Sequence, residues 1–320
     1  MKRATGYRGV VLVVLCLVLA VPAAAAVVVD GSADAEYGAP LSTQSTQTQF
    51  GNSNLGQPDF ANGSELDLGY GVIQGDKLFL FLSGNLESNF NKLEIFIDCI
   101  GGGQNRLRGD NPNVDFNGLN RMGDDGSGNG LEFDAGVGAD YWIGVTGGGG
   151  PYQLFANFAE LKTLGGGAGS FLGQTGAESN GPLSGGSNPG GIRVTISNRN
   201  TAGVNDGCAA SSGAGVDRGV EIAIPLGAIG SPKGCIKVSA FVNGGGHDFL
   251  SNQVLAPVPA GTCNLAEPRT VDFSALGGSQ FFTVCPENRV PAGGPWSMVV
   301  LSLGMLAAAV VMLRRKVATA

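Results

Sequence analysis

Histidine is almost absent from this chain. His247 is the only one in 320 residues, which excludes a multi-histidine zinc or iron centre. Tryptophan is nearly as rare, represented by Trp142 and Trp296, and the aromatic residues, 7% of the total, are mostly phenylalanine. Charged residues make up only 14%, and no stretch between the termini carries the apolar period of an ordinary amphipathic helix. Catalytic motifs of fixed spacing are missing too: there is no G-x-S-x-G elbow and no G-x-x-x-x-G-K-[ST] phosphate loop. Catalysis is therefore not expected. His247 beside Asp248 offers a base in principle, but the glycine run Gly244 to Gly246 before it reads as a solvated loop. A two-carboxylate glycosidase stays open because carboxylate separation is not visible in a sequence.

Glycine is abundant instead. The 55 glycines are more than twice the usual share of about 7%. All 26 acidic residues lie between the termini, whereas six of the 19 basic ones (Lys2, Arg3, Arg8, Arg314, Arg315 and Lys316) are terminal. Thirteen basic against 26 acidic residues leave the central region with a net charge of about −13. Such a surface repels nucleic acid and anionic lipid and suits cations or neutral partners such as polysaccharide.

Both ends read as membrane signals. Basic residues Lys2, Arg3 and Arg8, an apolar core over 10–21 and small residues over 23–26 make 1–26 a secretory signal peptide for the export machinery and signal peptidase. Residues 297–313 are uncharged and about as long as a marginal membrane span. Trp296 precedes them and Arg314, Arg315 and Lys316 follow, which places the C-terminus on the cytoplasmic side. Residues 27–289 then form one extracytoplasmic domain, and 290–320 a sorting tail with one transmembrane helix.

Alternation and β-branching predict strands over 41–50, 65–73, 77–82, 92–100, 139–146, 152–158, 192–197, 219–224, 235–243 and 280–284. Leu93, Ile95, Ile97 and Cys99 fall on one face, with Glu94 and Asp98 on the other. The expected fold is all-β, a jelly-roll-like β-sandwich. The glycine-rich stretches 101–130 and 165–191 lack the apolar content of a domain and are expected to be surface loops.

Five cysteines remain once Cys16 leaves with the leader. An odd number cannot pair fully within one chain, and an exported protein meets oxidising conditions. The expected bridges are Cys263–Cys285, tying the last strand to the loop before it, and Cys208–Cys235, with Cys99 left as a buried thiol.

Two sites suggest themselves. Asn113, Asp115 and Asn117, then Gly118 and Asp124, follow the offsets of an EF-type calcium loop, although Asn opens it, Asp closes it and no helices flank it. The same residues would also serve as Asx-turns. For a glycan, Trp142 beside Asp140 is the natural platform, with Tyr70 and Tyr152 as further candidates. The alternative buries Trp142 under a loop or in the core.

The tail resembles the PEP-CTERM and IPTL-CTERM bacterial sorting signals. Val290, Pro291 and Trp296 match the second type in order and spacing, while Ala292 to Pro295 do not match the remaining motif. The resemblance implies surface sorting by an exosortase-like transpeptidase. The central region resembles family-nine carbohydrate-binding modules and DOMON-like domains through four short pieces. These are Val29-Asp30-Gly31 with Asp34, Glu36 and Tyr37; Asp76 to Leu80; Leu93 to Asp98; and Glu221 to Leu226. It implies a β-sandwich. The expectation is a surface-sorted protein of structural or adhesive function, with a calcium-stabilised carbohydrate-binding module as the alternative.

Overall fold

Strands with apolar residues on both faces need cover on both sides, and the fold supplies it. A computed structural model describes residues 25–50, 63–116, 118–200, 203–204 and 206–286. The expected leader up to residue 24 and the tail with Pro291, Trp296, Arg314 and Arg315 lie outside the described residues. Among the described residues no helix is long and apolar enough to cross a membrane.

The chain is all-β, with two antiparallel sheets whose strands are numbered here in chain order. The smaller sheet runs β1 (Ser42–Thr43), β2 (Glu65–Gln74), β3 (Lys77–Asn85), β10 (Gly219–Pro225) and β9 (Arg193–Ile196). The larger runs β12 (Leu250–Leu255), β11 (Ile236–Asn243), β4 (Lys92–Asp98), β5 (Tyr141–Gly148), β6 (Gln153–Glu160), β7 (Gly169–Gly176) and β8 (Ser184–Gly185). A short β13 (Phe282–Val284) also pairs with β11. The arrangement is consistent with a β-sandwich. Leu78, Leu80 and Leu82 from β3, Ile222 and Ile224 from β10, Leu93, Ile95 and Ile97 from β4, and Ile143 and Val145 from β5 share one core. Each is essentially sealed from solvent, and burying such a side chain contributes about 1.5–3 kcal/mol.

The outer faces are covered as well. Phe96, Trp142, Ala159 and Phe241 of the larger sheet lie beneath Leu107, Leu119, Met122, Leu131 and Phe133 and beneath Val258, Val271 and Phe273. The glycine-rich stretch 101–130 is thus a lid on the sheet rather than a free surface loop. Its few apolar residues are spaced irregularly and meet only in the folded chain. On the smaller sheet Val27, Val29 and Tyr37 cover Phe79, Phe81 and Ala223. Glu221 fastens that cover: its carboxylate accepts hydrogen bonds from Asp30 N (2.8 Å), Gly31 N (2.9 Å) and Tyr37 Oη (2.8 Å).

Three expectations about elements need correction. Residues 165–191 hold β7 and β8, which extend the larger sheet, although glycines dilute their pattern. Gly173 has φ +129° beside a register shift in β6, and a Cβ there would press on the Ser184 backbone. Strand β12 carries no clear signal because Ser251, Asn252 and Gln253 are polar, yet all three are buried. Their side chains do the work that a ladder would do. Gln253 Oε1 accepts from Leu66 N, its Nε2 donates to Thr46 O, and Asn252 Nδ2 donates to Gln47 O. That clamp also explains why only Ser42–Thr43 of the expected 41–50 strand joins a ladder.

The disulfides differ from the expected pairing. Cys208 bonds Cys263, and Cys235 bonds Cys285. The second follows from register: Ile236 faces Val284 across β11 and β13, so the preceding and following cysteines meet with Cα atoms 4.0 Å apart. Pairing between strands so distant in sequence is invisible to spacing arguments. Two bridges point to an oxidising, extracytoplasmic location. Cys99 is free and half-buried; burial, with Asp140 and Asp98 nearby, pushes its thiol up to about 12.

Candidate functional site

The outer face of the larger sheet is chemically divided at Lys92. Alternation along β4 points Lys92, Glu94 and Phe96 outward, and their antiparallel partners on β5 are Thr146, Gly144 and Trp142. A Cβ at Gly144 would overlap the Trp142 ring, so glycine lets the indole lie along the sheet. Trp142 Nε1 then donates to Glu94 Oε2 at 2.8 Å. Glu94, on the strand face opposite the inter-sheet core, is fully buried as well.

His247 completes the cluster. It sits in the turn between β11 and β12 with φ +56°, and its ring is fully buried rather than solvated. Nδ1 lies 2.6 Å from Glu94 Oε1. Nε2 lies 3.4 Å from Asp115 Oδ2, an ion-pair contact without hydrogen-bond alignment. Asp115 Oδ2 is also 3.0 Å from Lys92 Nζ, which donates to Thr146 Oγ1 at 3.2 Å. Burial alone would lower the His247 pKa, but the Glu94 charge and the contact with Asp115 outweigh it and lift the value to about 9. Burial alone would raise Asp115, but His247 and Lys92 hold it down to about 2. Two cations thus alternate with two anions in a neutral set. An imidazolium has no lone pair to accept a proton at neutral pH, so His247 is no general base there.

Beside this cluster lies a cavity of about 600 Å³. Phe90, Phe116, Phe155 and Phe171 wall it, and Lys92, Asp115, Thr146 and Asn157 form the floor. Pairing explains the assembly: Thr146 faces Phe155 across β5 and β6, and Asn157 faces Phe171 across β6 and β7. Phe90, Phe116 and Phe171 remain 50%, 70% and 37% exposed. Asn157 is 98% buried by contrast, being 2% exposed, and among the described residues no side chain or backbone group bonds its amide. Its amide is not among the fully sealed polar atoms, so it opens onto the cavity, where water or another polar group satisfies it.

The residues singled out from the sequence fall elsewhere. Trp142 is wholly buried. Asp140 is also buried and accepts from Cys99 N and Ile100 N at 2.8 and 2.9 Å, closing the end of β4. Tyr152 lies in the inter-sheet core and donates to Leu86 O. Tyr70 is on the other sheet, packed against Tyr37 and Phe81. The four do not form a sugar platform, because alternation gives a side chain's face but not whether a loop covers that face. The expected calcium ligands also separate. Asp115 is committed to Lys92 and His247, while Asp124 Oδ1 accepts from Gly126 N and Gly128 N at 2.8 and 2.9 Å, as in an Asx-type turn. The Asn113 amide packs on Gly118, and Asn117 lies outside the described residues. Among the described residues no three His, Cys, Asp or Glu side chains are grouped to hold a metal.

Lys92, Glu94 and the phenylalanine walls were not singled out by sequence. The only signals were a lysine opening an apolar strand and a lone histidine after three glycines. No family model matches the chain, and comparisons with curated proteins and with solved structures find no match.

Proposed function

We propose that this chain is an exported, non-catalytic domain that works at the bacterial surface by adhesion or as a structural part. The two disulfides carry this reading, since they persist in oxidising compartments. The neutral, closed cluster around His247 supports it further, because the lone histidine is held between two carboxylates instead of beside a nucleophile. A signal peptidase removes residues 1–26. The 290–320 tail holds the domain at the inner membrane until an exosortase-like enzyme passes it outward, where extracellular polysaccharide is the partner that an acidic surface tolerates.

The test is expression of the full chain in a Gram-negative host, followed by fractionation and protease treatment of intact cells. The expected product lacks the leader and is cleaved by external protease. Replacing Arg314, Arg315 and Lys316 by alanine should change its retention at the membrane. A full-length, cytosolic product with its leader uncut would overturn the reading.

A further inference from the structure

We propose that the phenylalanine cavity binds a neutral, flat, mainly apolar molecule carrying one amide or carbonyl group, which Asn157 receives. The proposal concerns the folded domain alone and stands or falls independently of where the protein is delivered.

Three observations select that chemistry. The first is the wall. Of four exposed phenylalanines among the described residues (Phe90, Phe116, Phe171 and Phe249), three converge on this one cavity, and half-buried Phe155 completes it. Exposed aromatic rings gathered around one concavity mark a binding site, whereas single ones do not. Phe90 and Phe155 stand with centroids 6.4 Å apart and planes tilted by 32°, so a flat guest meets ring faces and edges together.

The second is the floor's charge. Lys92 and Asp115 are paired at 3.0 Å, with side chains 2% and 13% exposed. Asp115 also faces His247. A charged guest would lose its hydration and find each opposite charge already satisfied, which is a large cost. A neutral guest escapes that cost.

The third is the single open polar group. The Asn157 amide offers one acceptor and two donors, and it lies at the meeting point of β5, β6 and β7. One polar group on the guest can be satisfied there. An oligosaccharide presents a hydroxyl at most ring carbons, and each one buried against phenyl walls without a partner would cost about 1–3 kcal/mol. The cavity volume of about 600 Å³ is in the range that takes a molecule of one to three fused rings.

The test uses the purified, disulfide-bonded protein and titration calorimetry with four probes: 2-naphthamide, naphthalene, 2-naphthoate and cellohexaose. The expected result is one saturable site for 2-naphthamide, weaker binding of naphthalene, no binding of 2-naphthoate, and no displacement of 2-naphthamide by cellohexaose, whatever polysaccharide binds elsewhere on the surface. Phe116→Ala and Phe171→Ala should each weaken both arenes about tenfold with an unchanged melting midpoint, since both side chains are partly or mostly exposed. Asn157→Ala should weaken 2-naphthamide about tenfold and leave naphthalene unchanged, a selectivity that a merely structural role would not produce. The proposal is overturned if neither arene saturates, if the Phe116→Ala and Phe171→Ala variants bind them as before, if Asn157→Ala affects both arenes alike, if cellohexaose displaces 2-naphthamide, or if 2-naphthoate binds more tightly than 2-naphthamide.

Discussion

Raising the pH should dismantle the cluster beneath the pocket, and His247 sets the window. Its imidazole is fully buried between Glu94 and Asp115, with Lys92, Trp142 and Asn243 completing its surroundings. The folded-state pKa is lifted from 6.5 to about 9. Because the folded value lies above the unfolded one, protonation favours the native state. The stabilisation is complete below pH 6.5 and is lost as pH rises through about 9. A shift of that size corresponds to stabilisation on the order of 3 kcal/mol. Urea unfolding at intervals from pH 6 to 10, with disulfides intact, should show wild type losing that amount relative to His247→Gln, whose side chain does not titrate. His247→Gln itself should be less stable than wild type at pH 6 by about 3–5 kcal/mol, since it leaves a buried carboxylate without its cation. His247 is the only histidine in the chain, so its Cε1–H resonance reports the titration directly. A resonance that titrates at or below 6.5, or a wild type and variant whose stabilities run parallel across the range, would refute the argument.

Other changes follow from packing and linkage. Gly144→Ala places a methyl group into the Trp142 indole; displacing the ring breaks its bond to Glu94, and thermal melting should register a loss of about 2–4 kcal/mol. Each disulfide closes a loop spanning 55 or 50 residues, so its loss should cost about 4 kcal/mol in the chain-entropy account. Non-reducing peptide mapping should recover Cys208 with Cys263 and Cys235 with Cys285. Glu221→Ala removes three hydrogen bonds that hold residues 30–37; limited proteolysis should then open the N-terminal cover first, with a stability loss of about 2–4 kcal/mol. A calcium chelator should leave the melting midpoint unchanged, because Asp115 already meets two cations; a midpoint raised by added calcium would restore the metal reading.

The strands legible from sequence are those whose neighbours supply nothing unusual. Leu93, Ile95 and Ile97 do enter the inter-sheet core as their alternation implies. Failure came where polar side chains act in place of backbone ladders, as with Asn252 and Gln253 in β12, and where glycine erased the pattern, as in β7. The candidate site was hidden for a related reason. Alternation sets Glu94 on the face opposite Leu93, Ile95 and Ile97, and only the cover laid over that face by the 101–139 stretch, together with Trp142 and His247, shows that it is an interior carboxylate.

Composition and local pattern alone determined that this chain is all-β, glycine-rich, acidic in its central region and without a multi-histidine centre. Those properties depend on residue identity and on a period of two, both of which survive in one dimension. Which cysteines meet, which tryptophan is sealed, and where phenylalanines gather around Asn157 were decided by tertiary structure. His247 and Glu94 stand 153 residues apart, and nothing in the chain between them encodes the 2.6 Å contact except the stacking of its strands.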